Sequence, residues 1–482
     1  MVDEGASYRG TVSPGLLALR RAAFTTKWNG VENDWSYSRG AGEHATTCRA
    51  HPVLRCERWC PMRSPSLSRA ARLAVVAGAA ALLLSACTAG NTSKGSGSDV
   101  SGTITYAFWN SSQKPAIQKE VAAFEKKYPK VKVTLDLTPF GSYFTKLQTQ
   151  GQSGALPDVF WMNNDDLALY ASNGLLAQTP SSIDLSRYSS SAVDSYKYDG
   201  KLYGVPSFQA GLGVWYNKAI LKEAGVSAPT ANWTWADFQR DAKAVSDALK
   251  SKGIFGEATD LSDGNATYYP TILQAGGYVV SGNGKKAGYD TSAGESGLQF
   301  WRDLIANGSS PSLQQLADTA DIDYFTSGKS AFFWGISSYA DTMASSKIAS
   351  DIAVAPLPQG KIAANIVNAN ANEMSAKSKN PAAAKAFLAF LAGSQAQTIL
   401  ASVTWPALSG EPQTVWKKRY PFDMQVFVDA EKISKQPYPN LTTTAQWQQA
   451  EQALMPSLLS GTTPVDTAAK QITAKVDDIL AK

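Results

Sequence analysis

From residue 103 onward, apolar and polar positions fall into regular patterns. Ile104, Tyr106 and Phe108 alternate with Thr103, Thr105 and Ala107, a period of two that predicts a strand. Ile117, Val121, Phe124 and Tyr128 then recur at spacings of four, three and four, which is the apolar stripe of a helix. Pro129 ends that helix, and Val131, Val133, Leu135 and Leu137 alternate as a second strand. Strand, helix and strand in this order predict a βαβ unit and a largely parallel sheet. Asp158 to Trp161 reads as a further short strand, followed by a helix from Asp165 to Ala171 that stops at Asn173-Gly174. Thr234 with Asp237 three residues on resembles a capping box, which assigns Trp235 and Phe238 to the core. Gly204 and Pro206 read as a turn, Lys379-Asn380-Pro381 as a turn into a helix with proline at its start, and Thr443 to Leu480 as helices. The fold class expected is α/β.

A different pattern precedes all of this. Arg63, Arg69 and Arg72 lead into twelve uncharged residues, Leu73 to Leu84, and then Ser85-Ala86-Cys87. A basic stretch, a short apolar run and small residues describe a secretory signal peptide over 62–86. The run falls short of the roughly 20 apolar residues that span a membrane. Leu84-Ser85-Ala86-Cys87 looks like a bacterial lipobox, so Cys87 is expected to carry lipid and to begin the mature protein. Residues 1–61 show no helical or strand period and read as an upstream extension outside the folded protein. Cys48, Cys56, Cys60 and His51 fall there, and their spacing is a weak metal signal. Residues 87–100, rich in Gly and Ser, read as a flexible tether.

Cutting at Cys87 changes the composition. Eleven of the 45 basic and six of the 40 acidic residues precede it, which leaves 34 of each and no net charge. The electrostatic case for nucleic-acid binding disappears. Both histidines, His44 and His51, are removed as well, and Cys87 is the only cysteine left. A histidine-based nucleophile system, His-ligated zinc and a disulfide are therefore excluded from 87–482. No metal or other cofactor is called for. The remaining 396 residues can bury a large core without cross-links, in two lobes.

The chain resembles the family 1 extracellular solute-binding proteins of ABC importers, the maltose-binding-protein type. The resemblance rests on Ile104–Trp109, Pro157–Phe160 with Tyr170–Leu176, Asp199–Pro206 followed by Val214–Lys218, Thr234–Phe238, Phe325–Phe332, Ala355–Pro358 and Ser378–Phe387, in the family's order. One departure falls at Gly335-Ile-Ser-Ser338, where many members carry an aromatic. The resemblance implies a periplasmic-binding-protein-like fold of two α/β lobes joined by hinge crossovers. The expected lobes are 101–208 with 362–406, and 209–361 with 407–482, and the ligand cleft lies between them. It further implies a lipoprotein on the outer face of the bacterial cell membrane, monomeric, that hands a small solute to the importer's permease subunits.

A sugar site needs flat aromatic faces and planar groups that bond neighbouring hydroxyls, and ten Trp lie beyond Cys87. Ligands of open α/β sheets sit beyond the carboxyl ends of strands. That rule selects Trp109 and Asn110 after the first strand, and Asn164, Asp165 and Asp166 after the Trp161 strand. Position in the family adds Gln209 beyond the first crossover; Tyr268 and Tyr269 precede Pro270 in a loop, and Trp334 and Tyr339 flank the Gly335 loop. It also adds Asn370 and Glu373 where the chain returns to the first lobe, and Trp405 near the third crossover. Two other readings compete: a receptor for a non-sugar solute, and a secreted carbohydrate-active enzyme with paired carboxylates.

Overall fold

The structure is a computed structural model that describes residues 99–482. The expected leader, Cys87 and nearly all of the tether lie outside the described residues.

Among the described residues there are eleven strands: β1 Gly102–Phe108, β2 Val131–Leu137, β3 Val159–Asn163, β4 Lys197–Tyr198, β5 Lys201–Leu202, β6 Gly204–Asn217, β7 Phe255–Glu257, β8 Ser330–Ile336, β9 Ile352–Ala355, β10 Val367–Met374 and β11 Trp405–Pro406. The period-two reading of the first strand holds, with Ile104, Tyr106 and Phe108 all buried. Helix α1 (Lys114–Lys127) buries Ile117, Val121 and Phe124 and ends just before Pro129. Helix α2 spans Phe140–Ser153. Helix α3 (Asn164–Ser172) starts where Asn163 Oδ1 accepts the amide of Asp166 at 3.1 Å, the usual reward for an amide at the N-cap. At Thr234 the capping box is complete, because Thr234 Oγ1 takes the Asp237 amide at 3.2 Å and the Thr234 amide reaches Asp237 Oδ2 at 2.9 Å.

The main sheet runs β2-β1-β3-β10-β6-β8-β7, with β11 and β9 also pairing β6. The β1/β2, β1/β3 and β7/β8 pairs are parallel, but β10 runs antiparallel to β3 and β6, and β8, β9 and β11 each run antiparallel to β6. The sheet is therefore mixed rather than largely parallel, because β6 is one long strand that leaves the first lobe and β10 is the strand that returns. Gly204 and Pro206 lie inside β6, not in a turn. The turn sits just before them at Asp199-Gly200, both at positive φ, closing the β4/β5 hairpin. Gly204 has a packing reason instead: a Cβ there would stand 2.8 Å from Ala371 Cβ and from Tyr196 Cδ1.

Two cores flank this crossing. One gathers Ile104 through Phe208 with Ala369 through Leu400, and the other Leu212 through Ile366 with Tyr438 through Ile479. A third apolar cluster, built on Trp215, Phe333, Trp405, Trp416 and Phe427, packs behind the second lobe's strands. The chain thus passes between cores at 208–212, again at 366–369, and once more after Leu400.

Candidate functional site

Parallel strands end together, so β1 and β3 deliver their next residues to one edge of the first lobe. Trp109 follows β1 and stays partly exposed. Its ring stands among Trp161 at 5.0 Å, Tyr143 at 5.1 Å, Phe140 and Phe144 at 5.7 Å, and Phe208 at 6.4 Å between centroids. Most of these contacts are edge-to-face, the arrangement that ring quadrupoles favour. Trp161 is anchored beneath by its Nε1–H, which donates to Tyr106 Oη at 2.7 Å, and Tyr106 in turn donates to Asn372. The platform under Trp109 is therefore rigid. Asn110 caps the next turn, its Oδ1 accepting the amide and hydroxyl of Ser112.

After β3 come Asn164, Asp165 and Asp166 in the first turn of α3. Asp165 reaches the other lobe, where Oδ1 accepts the Tyr438 hydroxyl at 2.8 Å. Asn265 Nδ2 and Gln448 Nε2 each donate to that same hydroxyl at 3.1 Å. One hydroxyl therefore collects a carboxylate from the first lobe and two amides from the second. Nearby, Asn440 Nδ2 donates to the carbonyls of Ser195 and Lys197 at 2.9 and 3.0 Å, a second contact between lobes. Beside it lies a cavity of about 20 Å³ lined by Asn164, Ser195, Asn265, Asn368, Lys435 and Tyr438 among others, room for about one water.

Burial shapes the charges. The Asp165 residue keeps some exposure, but its carboxyl is enclosed, and desolvation pushes it up to about 7 against the downward pull of the Tyr438 hydrogen bond. Asp166 is raised by burial as well. Among the described residues no group of three or more His, Cys, Asp or Glu is arranged to hold a metal, and no helix is long and apolar enough to cross a membrane.

The structure sorts the expected site residues. Trp109, Asn110, Asn164, Asp165, Asp166 and Asn370 gather at the edge of the first lobe that faces the second. Asn370 pairs with Asn163 on one side and Phe208 on the other. Glu373 does not join it, because residues three apart on a strand point to opposite faces. It is fully buried without a hydrogen-bond partner near Asp166, and desolvation first, then that neighbour's charge, push its carboxyl well above the ordinary range.

Tyr268 and Tyr269 open a helix, Tyr268–Gln274, rather than a loop, and both are buried. Tyr269 donates to Glu451 at 2.5 Å, so it is core. Trp334 lies in β8, whose two faces are both covered, and packs on Trp301 at 5.1 Å. Gly335 is part of that strand, not of a loop. Trp405 stacks on Trp416, centroids 5.2 Å apart and planes 10° from parallel. Gln209 is fully buried and donates to Glu431 at 2.6 Å. Tyr339 keeps partial exposure against Phe333, with burial and then the charges of Asp321, Asp260 and Asp263 raising its hydroxyl.

Tyr438, Asn265, Gln448 and Asn440 escaped the sequence reading. The one local signal was Pro437-Tyr438-Pro439, an aromatic fixed between two residues of restricted φ. Gln448 stands beside core Trp447 on a helix and carries no signal of its own.

Two α/β lobes joined by crossings, with polar side chains of both meeting over the gap, define the class: a two-lobed solute-binding protein. Residues 110–398 match the bacterial extracellular solute-binding protein family, and the chain belongs to it. It is 26% identical to a maltooligosaccharide ABC transporter solute-binding lipoprotein of Streptococcus pneumoniae, over 83% of this chain and 95% of that protein. Against a galactooligosaccharide-binding protein of Bacillus subtilis it is 26% identical, over 65% and 74% respectively. Among solved structures, an ABC substrate-binding protein of Listeria monocytogenes in complex with cycloalternan superposes with a TM-score of 0.71, at 24% identity, over 80% of this chain and all of that one.

Proposed function

We propose that this protein captures a carbohydrate, a mono- or oligosaccharide, between its lobes and delivers it to the permease subunits of an ABC importer. It acts as a monomer held to the outer face of the cell membrane through lipid on Cys87. The lobes that move are 101–208 with 362–406 and 209–361 with 407–482.

The observation that carries the reading is the meeting of Asp165, Asn265 and Gln448 on one hydroxyl from two lobes. An acceptor and two amides at 2.8–3.1 Å is what a ring hydroxyl needs on leaving water. Trp109, partly exposed on its rigid platform, offers the flat face that complements the C–H side of a sugar. The sugar-named relatives support the same choice. Purified protein is expected to leave oligosaccharides intact.

A thermal-shift screen against maltose, maltotriose, longer maltodextrins, galactose oligomers and single hexoses tests the proposal. One class is expected to raise the melting temperature, since a ligand at 100 times its Kd stabilises by about 2.7 kcal/mol. A panel with no shift from any sugar, alongside a shift from an amino acid, peptide or anion, overturns the sugar.

A further inference from the structure

Asp165 is the acid that meets the opposite lobe, and its surroundings are short of positive charge. On its own helix stands Asp166, and from the second lobe come Tyr438 and Asp263. Tyr196, from the segment after the helix Ser190–Asp194, faces Asp165 as well. Lys435 is the cation among the residues lining the adjoining cavity, and it donates no hydrogen bond to Asp165. The contacts that hold the Asp165 oxygen are a phenol and, behind it, two amides.

We propose that closing of the lobes is coupled to proton uptake at Asp165, with the Tyr438 hydroxyl, which donates to its carboxyl across the cleft, as the latch. The inference rests on the clamp reading given above and adds to it a control that works without ligand.

The linkage has a definite sign. When the lobes part, Asp165 returns to water and to the ordinary range near 3.9. Closed, the carboxyl sits at about 7, with burial the largest cause and the charges of Asp166 and Asp263 pushing the same way. The closed form therefore binds the proton more tightly than the open one. Closure is favoured below that upper value and loses ground as pH rises through it. Tyr438 moderates the effect, since its hydroxyl donates as readily to the ionised carboxylate. The closed-to-open ratio is then expected to fall roughly a hundredfold between pH 5 and pH 8.

Small-angle scattering of the ligand-free protein over pH 5–8 reads this, with protons as the only variable. The radius of gyration is expected to grow as pH rises. Asp165→Asn, which keeps an acceptor for Tyr438 and cannot ionise, should remove that growth and stay compact throughout. Asp165→Ser, shorter but equally unable to ionise, should likewise show no growth with pH if the amide variant fails to melt cooperatively. An unchanged radius in the wild type, or equal growth in a folded Asp165 variant, overturns the proposal. Compaction with a sugar but none with protons sinks this inference and leaves the clamp standing. Compaction with neither sinks the clamp too.

Discussion

Glu451 and Asp165 are both enclosed acids, but their partners give them different work. Glu451 lies within the second core, where it takes the Tyr269 hydroxyl at 2.5 Å, and burial pushes its carboxyl up to about 8. The native state thus keeps a proton that the unfolded chain gives up near 4.5. The stability this group contributes is full below about 4.5 and is lost as pH rises to about 8. Glu451→Gln removes the titration, so the variant's melting temperature relative to wild type should climb steadily between pH 5 and pH 8. A difference that stays flat over that window would show that Glu451 does not titrate as buried.

The same scale shows what the sequence concealed. Trp109 and Trp334 are both tryptophans at or near a strand's end, yet one stands beside the cleft and the other fills the core. Residue type predicts that an aromatic will be buried against something; whether a lobe or a ligand covers it depends on what lies opposite. Glu373 shows the reverse case, a charged residue whose type suggests a surface and whose place on β10 puts it inside.

Among elements, local signals proved dependable wherever one segment carries its own cause. The period of β1, the stripe of α1 and the Thr234 box are all set by residues within a few positions of one another. Strand direction is not, because alternation reads the same in either sense, and so the mixed sheet was beyond reach. Close approaches are equally silent in the sequence. Gly297 lies on the helix Ser292–Ala306, where a Cβ would come 2.5 Å from the amide nitrogen of Ile272 on the helix Tyr268–Gln274. Gly297→Ala should push the two helices apart and destabilise the second lobe by about 1–3 kcal/mol, the usual effect of overpacking. Chemical denaturation checks it, and an unchanged midpoint would mean that the helices separate freely.

For the whole molecule, the crossings of β6, of residues 366–369 and of the segment after Leu400 leave the two cores joined by a few strands of backbone. Such a build permits hinge motion while each core stays intact. Scattering in the presence of whichever sugar gives a thermal shift is expected to show a smaller radius of gyration than the free protein at the same pH. Ligand binding without compaction would separate recognition from closure and require the permease to read some other feature.

The sequence by itself determined the α/β class, the first βαβ unit, the Thr234 capping box, the order of family motifs and the edge carrying Trp109 and Asn164 to Asp166. Each follows from spacing within a short stretch or from the rule that ligands gather beyond strand ends. Tertiary structure decided which aromatics are core, which face Glu373 takes and how Tyr438, Asn265 and Gln448 meet Asp165. Those residues come from segments up to 283 positions apart (Asp165 to Gln448). No local pattern records such a meeting, because it exists only once two separately packed lobes face each other.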